Sequence, residues 1–228
     1  MTEETFDRIA HEYDEALPPH VVEHYLDKRV RYILDKISTG RGLDVGCGTG
    51  VLAGRLAASG LHMTGLDPSQ GMLDVMSDSH PAVEGVRGDG AQLPFEDATF
   101  DLAITVAALH HVADPADVRR TLVEMVRVLR PGGRIVIWDH NPRNPYWKHL
   151  MARVPQDDGS ERLVPEEEIV GGLEEGGAQI LGSDQLGLVP DFVPPSLLGL
   201  ARVAERVTER TPGLRRLCAH NVVLAGRR

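Results

Sequence analysis

Asp44, Gly46, Gly48 and Gly50 stand together in LDVGCGTG, residues 43–50, and their types and spacing suit the grip of a small ligand. Leu43 and Val45 read as the end of a buried parallel strand, and a helix begins near Val51. Glycines between the two tolerate positive φ and let a ligand lie against bare backbone. The helix behind them aims its first N–H groups at that ligand. Asp44, just ahead of the turn, offers a carboxylate to a ligand's ammonium. Asp67, closing the next apolar run HMTGLD, is the acid that nucleotide sites place about 20 residues on. A dinucleotide fingerprint, G-x-G-x-x-G, needs a glycine at position 51. Val51 stands there instead, so the pattern is G-x-G-x-G and a dehydrogenase is the weakest reading.

The D-x-G-x-G-x-G run followed by Asp67 resembles the class I S-adenosylmethionine (SAM) methyltransferases. GDGAQLPFEDATFD (88–101) and VLRPGGRIVI (128–137) resemble that family's second and third motifs, so the likeness covers about residues 5–140 and continues less sharply beyond. The resemblance implies that Gly46, Cys47 and Gly48 lie against the cofactor's amino-acid tail with Asp44 near its ammonium. Asp67 would take the ribose diol, Pro68 and Met72 would flank the adenine, and Asp89 would accept from its amino group. Gly90 and Ala91 would supply backbone groups. Tyr13, in the pair Tyr13-Asp14, would belong to a mobile N-terminal lid, or else to a short helix packed on the core.

Methyl transfer is an in-line displacement that depends on positioning, with a base added when the acceptor carries a proton. Of ten histidines, three fall near the expected site: His110 and His111 in TVAALHHVADP, and His140 in WDHNP. Many family members carry ALHHV without using either histidine as a base, and one imidazole often packs beneath the cofactor. His140 opens the loop that shapes the acceptor pocket and is the leading candidate base, with a loop-anchoring bond to Asn141 as its alternative. Neighbouring strand side chains face opposite ways, so Asp139 orients His140 only if the backbone folds back. Cys47 reads as a packing residue, and the remaining histidines show no metal-ligand spacing, so no metal is expected.

Alternating strands and helices must position these residues. Strands at 42–46, 62–67, 83–88, 101–106 and 134–138 alternate with helices at 51–59, 69–77 and one capped by Asp114-Pro115. That rhythm means a parallel sheet covered on both faces, with ligands at the carboxyl ends of its strands. Asp44, Asp67, Asp89, Val106 and Asp139 all sit at such ends. Ahead of them, residues 4–16 read as one amphipathic helix and a second starts near His20. Beyond Trp138, residues 139–165 carry Pro142, Pro145, Pro155 and Pro165 and read as a long loop with a short helix near Tyr146–Ala152. A helix at 166–175, a strand at 178–188, an amphipathic helix at 196–209 and a strand at 218–226 complete the chain. Leu197, Leu200, Ala201, Ala204 and Val207 form one apolar face of that last helix, which reads as a substrate cap or a dimer contact.

The expected fold class is α/β, a Rossmann-like doubly wound, mostly parallel seven-stranded sheet with a C-terminal β-hairpin and a small helical cap. It forms one domain over 1–228, with N-terminal helices or lid at 1–40, the cofactor-binding core at 41–140 and the substrate side at 141–228. With 24 Lys+Arg against 34 Asp+Glu the net charge is −10, which argues against a nucleic-acid partner. The start MTEETFDR lacks a signal-peptide layout, no apolar run approaches a membrane span, and two cysteines make no disulfide framework. The expectation is therefore a cytoplasmic monomer or homodimer without a membrane partner. Its expected activity is transfer of a methyl group from SAM to a small-molecule acceptor, at a hydroxyl oxygen. The HNPRNPYW loop resembles members that modify glycans, lipids or secondary metabolites. The competing readings are non-transfer chemistry such as a cyclisation, and a silent SAM-binding partner subunit.

Overall fold

Two apolar clusters, one on each side of a single sheet, account for most of the buried side chains. In a computed structural model describing residues 3–152 and 161–228, seven strands pair in the order β3-β2-β1-β4-β5-β7-β6. They are β1 (Gly40–Val45), β2 (Leu61–Asp67), β3 (Glu84–Arg87), β4 (Phe100–Val106), β5 (Leu129–His140), β6 (Ala178–Leu186) and β7 (His220–Arg227). The first five run parallel, and β7 pairs antiparallel with both β5 and β6. This is the expected doubly wound sheet with its terminal hairpin.

Alternation along each strand sorts residues between the clusters, since successive side chains face opposite sides of a sheet. Ala103, Ile135, Ile137 and Val223 face α5 (Pro115–Val128) and α7 (Glu166–Glu175), meeting Leu122, Met125, Ile169 and Leu173. Leu102, Ile104, Val136 and Trp138 face the other side, where α2 (Pro19–Lys36), α3 (Val51–Ala58) and α4 (Gln70–Ser79) supply Ile33, Leu56 and Met76. The caps follow the sequence: Ser69 accepts from the Met72 N–H at 3.1 Å, and Asp114 accepts from Ala116 at 2.8 Å ahead of Pro115. Such caps contribute roughly 1 kcal/mol each.

Two segments differ from the sequence reading. Residues 4–16 are not one helix; α1 (Glu3–Ile9) ends early, and a 3₁₀ turn follows over Tyr13–Glu15. β5 begins at Leu129, so it runs through Pro131-Gly132-Gly133 instead of starting after them. The last helix, α8 (Leu198–Arg210), points its apolar residues outward: Leu200 is 68% exposed while Glu205 is 2% exposed. The short helix α6 spans Tyr146–Met151, and Pro155 lies outside the described residues. No described helix is long and apolar enough to cross a membrane.

Candidate active site

The turn after β1 is built from backbone. Gly46, Gly48 and Gly50 have φ of +74°, +53° and +76°, in the left-handed region that strains other residues. The N–H groups of Gly46 and Cys47 both donate to the Leu66 carbonyl, at 2.8 and 3.1 Å, tying the turn to β2. A Cβ on Gly46 would lie 2.6 Å from Ala108, and one on Gly50 would lie 2.2 Å from Met76. At Gly48 a Cβ would meet nothing within 4 Å, so this glycine faces open space, and its N–H donates to Asp67 Oδ2 at 2.9 Å.

A cavity of about 370 Å³ opens above this turn, at the carboxyl ends of β1, β4 and β5. Tyr13, Asp44, Gly46, Cys47, Gly48 and Val106 line it on one side, and His110, His111 and His140 on the other. Nine of the predicted site residues therefore meet in one place. Asp67, Pro68, Met72, Asp89, Gly90 and Ala91 are outside that lining. Asp67 borders it, with Oδ1 accepting from the Ser69 N–H at 3.0 Å and Oδ2 on Gly48. Met72 is packed in the core, and Asp89 is exposed with its carboxylate on the Ala91 N–H at 2.9 Å. Over this end lies α1, whose Asp7 Oδ1 accepts from Ser69 Oγ at 2.6 Å and the Gly71 N–H at 2.8 Å. The same segment reaches across the cavity: Phe6 meets His111 edge-on at 5.2 Å, and Thr49 Oγ1 donates to Asp14 at 3.0 Å.

Asp44 is buried and accepts no hydrogen bond among the described residues. Burial, then the neighbouring Asp67 charge, pushes its pKa up to about 7, and Arg29 pulls the other way. Arg29, from α2, also lines the cavity; its buried Nε has no hydrogen-bond partner among the described residues, and its guanidinium stands 5.9 Å from the ring centres of Tyr25 and Trp138. The opposite wall is a stack of flat rings. His140 lies 3.4 Å from Trp147 at 9° and 4.1 Å from His110 at 20°, with His220 edge-on at 5.7 Å. Burial, then the charges of His110 and His220, lowers the His140 pKa well below its ordinary value, so this ring stays neutral.

Asp139 turns to His110, not His140. His110 Nδ1 and Asp139 Oδ1 are 2.8 Å apart, whereas His140 Nδ1 is 3.7 Å from the same oxygen. Burial alone would raise Asp139, yet the charge and hydrogen bond of His110, with the His140 N–H at 2.6 Å, hold it below the usual carboxylate range. The backbone that delivers His110 is strained, for Ala107 has φ +54° and is held by its N–H on the Trp138 carbonyl at 2.8 Å. His110, Asp139 and His140 bring donor atoms within 4.8 Å of one another, a spacing that could suit a metal ion. Imidazole lone pairs lie in the ring plane, however, and two rings stacked at 20° do not converge on one ion. Asn141 does not anchor His140; its amide donates to the Arg216 and Cys218 carbonyls at 3.0 and 2.9 Å.

Residues 43–137 match the family described as "Methyltransferase domain". The chain is 34% identical over 145 residues to an uncharacterized methyltransferase of Mycobacterium tuberculosis, covering 63% of this chain and 54% of that protein, so it spans about half that relative's length. It is 30% identical over 164 residues to a demethylmenaquinone methyltransferase of Renibacterium salmoninarum, covering 65% of this chain and 68% of that one. This chain belongs to the class I SAM-dependent methyltransferase superfamily. The fold agrees: a solved SAM-dependent methyltransferase from Thermotoga maritima superposes with a TM-score of 0.72 over 99% of both chains at 21% identity.

The cofactor of this methyltransferase superfamily is SAM, and the cavity fits its amino-acid end. Among the described residues, an unmet carboxylate at Asp44 and a guanidinium at Arg29 whose buried Nε has no hydrogen-bond partner face one space, matching an ammonium and a carboxylate on one ligand. Sequence reasoning missed Arg29, Trp147 and His220. The signal for Arg29 was present: Tyr25, Arg29 and Ile33 repeat every fourth residue on the buried stripe of α2, where a lone arginine is out of place. Nothing comparable marked Trp147 or His220, which reach the site from α6 and β7.

Proposed function

We propose that this chain catalyses methyl transfer from SAM to a hydroxyl oxygen of a small apolar or aromatic acceptor, with His110 as general base. The His110–Asp139 contact carries the reading. A carboxylate only accepts, so His110 Nδ1 holds the proton and the lone pair stays on Nε2. Asp139 fixes this tautomer and stabilises the imidazolium that forms when His110 takes the acceptor's proton. Bound SAM supplies the electrophilic methyl group. Asp44 and Arg29 would hold its ammonium and carboxylate, Gly46 and Gly48 would lie along its backbone, and Asp67 would take the ribose hydroxyls. Pro68, Met72, Asp89, Gly90 and Ala91 would form the adenine end beneath α1. His140, neutral and sandwiched, would serve as a flat wall with Trp147, and Leu17, Val21 and Leu150 would enclose an apolar acceptor. The Renibacterium relative, named for demethylmenaquinone, supports an acceptor of that character.

Single-turnover kinetics with an acceptor found by screening tests the assignment. His110→Ala and Asp139→Asn should lower kcat by about 10²–10⁴ with SAM affinity unchanged, and the acid limb of the pH profile should vanish in His110→Ala. His140→Phe, which keeps a flat ring between Trp147 and His110, should retain activity. Loss of rate in His140→Phe with His110→Ala unaffected would move the base to His140. A product with no added methyl group would reject transfer altogether.

A further inference from the structure

The outward face of α8 is apolar where a surface helix is ordinarily polar. Leu197, Leu200, Val203 and Val207 are 47–68% exposed, and Phe192 ahead of the helix is 71% exposed. With Leu214 and Leu217, these make seven of the eight exposed large hydrophobic side chains among the described residues; Leu181 alone lies elsewhere. Isolated exposed leucines need no explanation, whereas a contiguous set marks a contact surface. The orientation is firmly held. Glu205 on the inner face accepts from His24 Nε2 at 3.0 Å, Lys28 Nζ at 2.5 Å and the Leu188 N–H at 2.7 Å. Glu209 accepts from Lys28 and from the Gly187 N–H at 2.7 Å. Rolling α8 to bury its leucines would strip both carboxylates of their donors.

Charge then identifies what the face meets. Both acids of α8 are turned inward and neutralised, so every charge the helix shows outward is positive. Arg206 and Arg210 stand one turn apart beside the leucine stripe, while Arg202, one turn earlier, donates its Nε to His24 Nδ1 at 3.1 Å, and exposed Arg215 and Arg216 follow. This happens in a chain whose net charge is −10. A second copy docking face to face would set arginine row against arginine row, with no outward carboxylate on α8 to answer them. An anionic lipid surface offers both missing partners, hydrocarbon for the stripe and headgroup charge for the arginines. Continuity with the cavity gives the contact a purpose. Phe192 packs on Tyr146 at 6.0 Å, and Tyr146, Asp191 and Val189 line the cavity.

We propose that α8, with Phe192, is a peripheral docking surface for anionic membranes, lying along the bilayer and turning the cavity mouth towards it. This rests on the cap alone and not on the methyl-transfer reading. Flotation with vesicles of phosphatidylcholine, alone or mixed with phosphatidylglycerol, tests it. The full chain should float with the mixed vesicles, and less well as salt rises. Arg206→Gln with Arg210→Gln should weaken partitioning about 25-fold, at roughly fivefold per charge. Leu200→Gln with Val207→Gln should weaken it tenfold or more, while the circular dichroism and SAM affinity of both double variants stay unchanged. Failure to float with mixed vesicles would overturn the proposal, as would flotation indifferent to the arginines. Self-association without vesicle binding, abolished by Leu200→Gln with Val207→Gln, would assign the face to a second copy instead.

Discussion

Helix α2 faces two buried carboxylates and treats them in opposite ways. His24 and Lys28 meet Glu205 of the cap, while Tyr25 and Arg29, one position on, face the cavity that Asp44 lines. Burial raises Glu205, but His24, Lys28 and the Leu188 N–H more than offset that and bring its pKa to about 2. Asp44 is pushed up to about 7 by burial and by Asp67, with only Arg29 in opposition and no hydrogen bond. One carboxylate is answered from within the fold, and so acts as a fastener between α2 and α8. The other lines the cavity and accepts no hydrogen bond among the described residues. That contrast sets Asp44 apart without reference to any relative.

The largest expected effect comes from undoing the fastener. Glu205→Ala leaves His24, Lys28 and the Leu188 N–H facing a gap, and should cost about 3–5 kcal/mol in urea unfolding, as breaking one side of a buried pair does. Glu205→Gln, which keeps an acceptor but loses the charge, should cost less. If Glu205→Ala proves neutral, the cap is held by packing and the contrast with Asp44 fails. Asp44→Asn should behave in the opposite sense. Removing an uncompensated charge should leave the cofactor-free protein as stable at neutral pH or more so, while calorimetry shows the Kd for SAM rising about tenfold or more.

pH separates the two acids further. Glu205 is depressed from 4.5 to about 2, so its contribution to stability is complete above pH 4.5 and lost as pH falls towards 2. Asp44 is raised from 3.8 to about 7, so the folded state holds the extra proton and stability falls as pH rises between those values. Wild type minus Glu205→Gln should therefore slope upward with pH at the acid end, and wild type minus Asp44→Asn downward towards neutrality. SAM affinity should climb as pH approaches 7, by up to about tenfold per unit, because a ligand ammonium favours ionised Asp44. A flat affinity over that range would place the ammonium elsewhere.

How much of this was readable in the sequence follows from what each part is made of. The sheet, the glycine turn and the two capped helices depend on local period and turn chemistry, and LDVGCGTG, DPS and DP announce them directly. The ring wall joins His110, His140, Trp147 and His220, from four separate segments, and stacking between distant segments leaves no local pattern. Asp139 shows the limit most plainly. Its place at a strand end was legible, but its choice of His110 over its own neighbour follows from the strained turn at Ala107, a conformation alanine rarely signals. The period of α8 revealed an apolar face correctly and said nothing of which way it points, because the deciding partners, His24 and Lys28, lie far away on α2.

The smallest expected effect is therefore also a sharp one. If Glu205 and Glu209 hold α8 by its polar face, the residues on the opposite face contribute almost nothing to keeping it there. Leu200→Gln should then change the unfolding free energy by no more than about 0.5 kcal/mol, the ordinary range for a surface position. Leu122 of α5, fully buried on a helix of similar amphipathic pattern, gives the scale for comparison: Leu122→Ala should cost about 2–5 kcal/mol. A loss at Leu200 approaching that at Leu122 would mean its side chain is covered within the folded chain, and the polar fastening of α8 would then be secondary to packing.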